Sequence, residues 1–343
     1  MASIIVVATL YVLAAKLGLS LAVSVKQITS VWPPSGLAIA ILILYGLRLW
    51  PGVFIGALIA NALTSESIWI AAGIAIGNTL EAVIGWWLVS RIVNFRPSMD
   101  RIADVVGLVV LSASVSTLVA ASIGTTSLMI GHLLNPDDQV NAWLLWWFGD
   151  MGGILLFAPV IIVWLTKWRT ITYNRLGEFI ALVIGTGGLT ALIFLGKFNL
   201  LGHHPPITYL VFPFMIWAAL RFQQIGVTAV SLITSVIAVI GTAIGRGPFM
   251  GPGTTEQHLI FLISYIVLIT VSGLITGAVV IQREKYASKL AARAQELQSA
   301  KEGIIKELSD TTRREQQLLK SRAHILKILD DLLEVSSGDN WVQ

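Results

Sequence analysis

From the N-terminus to about residue 280 the chain is a succession of long apolar runs, broken by short clusters of Pro, Gly, Arg and acidic residues. Runs of roughly 18 to 25 apolar residues are what a helix needs to cross the hydrocarbon layer of a membrane. The breaks predict ten helices, near residues 3–24, 34–49, 51–64, 67–92, 102–132, 141–166, 177–196, 205–222, 224–245 and 257–282. The second and third are short for full spans and are split by Pro51, which cannot continue a helix without losing a backbone hydrogen bond. A re-entrant pair there leaves about eight crossings. The expected fold is therefore all-α, a polytopic transmembrane helix bundle of about 8 to 10 membrane helices.

After residue 282 the pattern changes abruptly to a charged stretch without proline. Leu290, Ala294, Leu297, Ile304, Leu308, Thr311, Leu318, Ile325, Leu329 and Leu332 recur at alternating steps of four and three, with Lys301, Glu315 and Arg322 on the same seam. This heptad pattern predicts a cytoplasmic signalling helix over residues 283–335 that pairs as a parallel dimeric coiled coil. The stripe is narrow, which favours the coil over a single solvated helix. Polar seam positions lower stability and suit a stalk that changes register. Three regions result: a membrane domain over 1–282, the helix over 283–335 and a polar tail over 336–343.

Composition agrees with the patterning. Of 343 residues 55% are hydrophobic and 12% charged, against about 25% charged in ordinary soluble domains. The net charge of +4 does not indicate nucleic acid, because the basic residues lie in loops beside apolar runs and not in a patch with interleaved aromatics. With the tail placed in the cytoplasm, counting backwards puts Arg221, then Lys167, Arg169 and Arg175, then Arg91, Arg96 and Arg101, then Arg48 on the cytoplasmic side. The opposite loops carry Glu66, Asp137, Asp138 and Glu256 with Lys26, Lys197 and Arg246. Both termini are then expected in the cytoplasm of a multi-pass protein of the bacterial inner membrane, with the first helix retained and not cleaved. The chain has no cysteine, which removes disulfide scaffolds and thiolate metal sites. It also carries no Gly-rich phosphate loop and no His-Glu-x-x-His, so no catalytic residue and no cofactor is expected.

An ionisable group at membrane depth costs at least about 2.5 to 3.5 kcal/mol, so each one calls for an explanation. Lys16, Glu81 and Asp150 are three such groups, and the topology lets them meet in the outer half of the bundle. Asn78 precedes Glu81 by three residues on the same helix face, and Asn61 closes the preceding helix. With Trp32, Pro33, Pro34, Ser35 and Gly36 they could line a polar cavity. The competing expectation is a buried lysine–carboxylate pair that fixes helix packing. Two carboxyls against one lysine leave an extra negative charge, for which a proton or a cationic ligand would compensate. His132, His203, His204 and His258 fall at helix ends near Asp137, Asp138 and Glu256 and are weak candidates for a metal site, their spacing matching none. His324 lacks the acidic neighbour and downstream proline usual beside a phosphoaccepting histidine.

The stretch 31–63, VWPPSGLAIAILILYGLRLWPGVFIGALIANAL, resembles the opening signature of the first family of membrane-associated sensor domains, MASE type 1. The likeness continues in Gly77-Asn78-Thr79-Leu80-Glu81-Ala82, in Trp146 to Gly153 with Pro159, and in Phe212-Pro213 through Trp217 to Phe222. Lys16-Leu17-Gly18 and the stretch 245–249 are similar to further pieces of the family pattern. By that resemblance Trp32, Pro33, Pro34, Asn61, Asn78, Glu81, Asp150, Trp217 and Arg221 stand at the family's motif positions. The family supplies the membrane module of bacterial histidine kinases and diguanylate cyclases, so the resemblance implies a sensory domain. It departs where a kinase or cyclase domain should follow, and the expectation is either a truncated receptor or one acting on a partner in trans.

Together these observations predict a homodimeric sensor in the lipid bilayer that binds an unknown small ligand. It would signal through its last helix to a histidine kinase output domain, less readily a diguanylate cyclase, or to a response-regulator partner. A secondary transporter using the intramembrane charges as an ion or proton relay is the alternative, and a scaffold that dimerises partners is a third.

Overall fold

The computed structural model describes residues 1–20, 31–64, 67–167, 173–196 and 205–338. Every regular element among them is helical, the α-helices in the order α1 (Ala2–Ser20), α2 (Pro33–Tyr45), α3 (Trp50–Ala62), α4 (Ile68–Leu88), α5 (Ile102–Gly107), α6 (Thr117–Ile130), α7 (Gln139–Lys167), α8 (Leu176–Phe194), α9 (Phe212–Ala243) and α10 (Thr255–Gly338). Among the described residues seven helical segments are long and apolar enough to cross a membrane, and α2 and α3 are shorter apolar helices. A lipid bilayer is the environment such a surface requires.

The centre of the membrane region is α2, buried from Pro33 to Ala38 apart from a partly exposed Leu37, and again from Ile39 to Leu42. It has no charged residue, and its tandem prolines sit in the first turn, where the missing N–H groups have no intrahelical partner to lose. Trp32 before them is extended, the conformation a following proline imposes. Helix α2 packs on α7, α1 and α4; α3 is sandwiched between α1 and α4; and α6 packs on α4 and α7. Small residues make the contacts close, as is usual where lipid supplies no hydrophobic drive between helices. A Cβ on Gly36 would press on Phe157 of α7, one on Gly56 would reach Tyr11 of α1, and one on Gly153 would strike the Trp32 carbonyl.

Several predicted boundaries shift for local reasons. The helix expected over 34–49 stops at Gly46, which has φ +91°, and a 3-10 turn at Leu47–Leu49 leads into α3. Between α5 and α6 the segment Leu108–Ser116 is π-helical, as is Val89–Val93 after α4. The wide turns alter carbonyl alignment, and Ser114 accepts the Trp147 indole N–H at 2.9 Å. Pro213 falls in the first turn of α9 after a 3-10 segment over Pro205–Val211, and not inside a helix. Helix α9 is interrupted at Gln223 (φ 53°, ψ −137°), where the sequence separates helices 205–222 and 224–245.

At the end of the membrane region where α7 finishes, the Asp104 carboxylate is fully buried and accepts the backbone N–H groups of Arg96 and Arg101 together with the Arg101 guanidinium. That neighbour holds the Arg101 guanidinium above its ordinary value and firmly charged. Lys167 pairs with Asp100, and the Trp164 indole donates to Thr228 of α9 at 3.1 Å. Over residues 255–282, α10 is packed in the membrane region through Leu262, Ile266, Ile269 and Leu274.

Residues 283–338 form a second unit, all within α10. In it Leu290, Leu297, Ile304, Leu308, Leu318, Ile325, Leu329 and Leu332 are exposed.

Candidate functional site

The first turn of α2 and the Gly-rich stretch of α7 lock together. The Trp32 N–H donates to the Gly149 carbonyl at 2.9 Å, and the Ser35 hydroxyl donates to Asp150 Oδ1 at 3.1 Å. Gly153, one turn after Gly149, lets α7 approach the Trp32 backbone. This junction forms one wall of a cavity of about 30 Å³ lined by Leu19, Trp32, Ala60, Asn61, Thr64, Ile74, Asn78, Trp146, Gly149 and Asp150. That space holds about two water-sized groups. It lies toward the end of the bundle where α1 and α3 finish and α4 begins.

Of the residues singled out from the sequence, Trp32, Asn61, Asn78 and Asp150 line this cavity, and Ser35 is bonded to Asp150. Glu81, one turn below Asn78 on α4, is fully buried and lies beside Ser35 and Asp150, but no donor is set to hydrogen-bond either of its oxygens. Asp150 Oδ2 and Asn78 Oδ1 are likewise buried without a partner. Pro33 and Pro34 are buried at the start of α2, where they shape its entry and leave the Trp32 carbonyl facing α7. Asn61 turns its amide nitrogen back to the Ala57 carbonyl at 2.8 Å.

Lys16 does not join the carboxyls. The buried stripe of α1 is Val7, Ala8, Tyr11, Ala15 and Gly18, and Lys16 lies outside it, exposed. A lysine one turn from the helix end can carry its ammonium to the membrane interface along its own stem, and it then needs no buried partner. The contribution of α1 is instead Tyr11, 1% exposed, whose phenol oxygen accepts the Asn78 amide N–H at 3.1 Å. Tyr11 gives no signal in the sequence, since a tyrosine in an apolar helix is ordinary; its spacing of four from Val7 and Ala15 is the trace it leaves.

Trp217 and Arg221 belong to a different place. The Trp217 indole and the Arg221 Nε both donate to Glu178 Oε1, at 3.0 and 2.6 Å, and Arg221 Nη2 donates to Oε2 at 2.8 Å. Glu178 stands in the first turn of α8, so this cluster ties α8 to α9 and leaves the carboxyl fully matched. Immediately after it, the buried Gln224 amide nitrogen donates to the Met99 and Leu274 carbonyls, both at 3.0 Å, joining α9 to the 99–101 turn and to α10. The Gln223-Gln224 pair at the start of an apolar run was its one sequence signal. Among the described residues no three His, Asp or Glu side chains assemble as a metal site. His132 is exposed, the His258 ring lies 2.8 Å from the Gly251 carbonyl, and His203 and His204 lie outside the described residues.

The bundle is all-helical and organised around the Trp32 to Gly36 turn and the Gly149 to Gly153 stretch, and its sequence places it among membrane sensor domains. The chain matches the MASE1 family over residues 3–284 and belongs to it. Comparison with the curated proteins gives no match, and comparison with the solved structures gives none.

Proposed function

We propose that this chain is the sensory part of a bacterial signal transduction receptor of the histidine kinase type, receiving its signal at the Asp150 cavity and passing it along α10 to a homodimeric coiled coil. The observation that carries the reading is the pair Glu81 and Asp150, buried side by side with Asp150 in the wall of the cavity, and paired with no Lys or Arg among the described residues. Nature retains such a pair against its desolvation cost where the imbalance is used. Transmission is supported by helical continuity: α10 runs unbroken from Thr255 to Gly338. The exposed stripe from Leu290 to Leu332 has the heptad spacing of a parallel two-stranded coil, and a second copy of the same helix is its natural cover. Clustering of Arg101, Lys167, Arg175 and Arg221 at one end of the bundle supports cytoplasmic termini in the inner membrane.

The test is a fusion of residues 1–335 to a histidine kinase catalytic domain, with Glu81→Gln and Asp150→Asn compared with the parent. Both forms should insert normally and lose their response to stimulus; an unaltered dose response in both would remove the reading. Ion or proton flux through the same protein in liposomes would mark it as a transporter instead.

A further inference from the structure

Buried polar atoms in folded proteins are nearly all paired, so a cluster of unpaired ones has a cause. Asp150 Oδ2, Asn78 Oδ1 and both Glu81 oxygens are buried without a partner, on side chains that are 1%, 4% and 0% exposed. All four are acceptors. Asp150 Oδ1 is already taken by Ser35, and the Asn78 amide nitrogen is committed to Tyr11, which leaves the carbonyl end of Asn78 free where that residue lines the cavity. Asn61, whose nitrogen is bonded to its own helix, adds a further amide oxygen to the lining. What the site lacks is a donor carrying positive charge, and Lys16 is not placed to supply it.

Size and walls narrow the donor further. About 30 Å³ admits a group of roughly two heavy atoms and excludes a bulky one. Trp32 and Trp146 line the same space, and aromatic faces attract cations. An ammonium group has three N–H donors and needs three acceptors, the number that Asp150, Asn78 and Asn61 carry in the cavity wall, with the Glu81 carboxyl buried behind them. We infer that the cavity binds the primary ammonium group of a small cationic amine, whose remaining atoms lie toward the cavity opening. This deepens the reading of the cavity as the signal-receiving site and rests on it.

The full chain in lipid nanodiscs is titrated with methylammonium, sodium and tetramethylammonium chlorides at equal ionic strength, following the thermal unfolding midpoint. At a hundred times its dissociation constant methylammonium should raise the midpoint by about 5 °C. Sodium, which donates no hydrogen bond, and tetramethylammonium, which is too large and has no N–H, should leave it unmoved. Asp150→Asn should abolish the protection. Asn78→Ser, which keeps both carboxyls, should weaken it about tenfold. Equal protection by sodium, protection that survives Asp150→Asn, or a midpoint that follows pH and no amine would each overturn the inference. If methylammonium fails to bind while Asp150→Asn still silences the kinase fusion, the amine is wrong and the sensory reading stands. If methylammonium binds and the fusion is indifferent to both variants, the binding site stands and the sensory reading falls.

Discussion

Asp104 and Asp150 are buried alike, at 0% and 1% exposure, and their surroundings could hardly differ more. Around Asp104 two backbone N–H groups and a guanidinium meet the carboxylate, and the guanidinium itself also donates to the Asn94 carbonyl at 2.7 Å. Around Asp150 the Ser35 hydroxyl meets one oxygen, the Trp146 side chain lies alongside, and the neighbouring ionisable group is another carboxyl. The first arrangement spends its charge on holding the 94–104 turn at the foot of α5. The second leaves charge over, at a place where a cavity reaches it. Burial alone therefore says little about purpose in a membrane protein; the balance of donors and acceptors separates a carboxyl that holds a turn from one left with an open acceptor.

Substitutions can break this contrast in order of effect. Asp104→Ala removes the charge partner of Arg101 and strands two backbone N–H groups, and should cost about 3 kcal/mol, seen as a large fall in the thermal unfolding midpoint. Gly153→Ala forces a methyl group against the Trp32 carbonyl and should cost about 2 kcal/mol by the same measurement, separating α2 from α7. Arg221→Gln removes an exposed pair and should lower the midpoint only slightly, while hydrogen exchange near the start of α8 quickens. Asp150→Asn should leave the midpoint unchanged or raise it, because it relieves two facing carboxyls. The ranking inverts when kinase output is read from the fusion: Asp150→Asn then has the largest effect and Arg221→Gln one of the smallest. A midpoint that collapses for Asp150→Asn would erase the distinction between the two aspartates.

Much of this was legible in the sequence because polar residues in apolar runs are conspicuous. Pro33-Pro34, Pro51 and Gly46 mark the limits of α2 and α3, and the break at Gln223 falls between two predicted helices. Asn61, Asn78 and Asp150 stand out for the same reason, and the structure lines one cavity with them. Helical phase was the weak point. Helix α1 is apolar on every side, so nothing in its pattern says that Tyr11 faces inward and Lys16 outward. Trp217 and Arg221 look like companions of the intramembrane charges until Glu178 is seen to claim both. The π-helical stretches over 89–93 and 108–116 carry no residue that demands them, and they follow from tertiary packing.

Gln224 carries a consequence for the mechanics of α10. Its single NH₂ group grips the Met99 and Leu274 carbonyls at once, and Gly277, one turn further along α10, is shaped to admit the amide. An advance of α10 by one residue, about 1.5 Å, would pull Leu274 out of that grip while leaving Met99 held. The amide is thus a latch with two seats, one on the frame and one on α10, and any travel of α10 would be resisted until the latch let go.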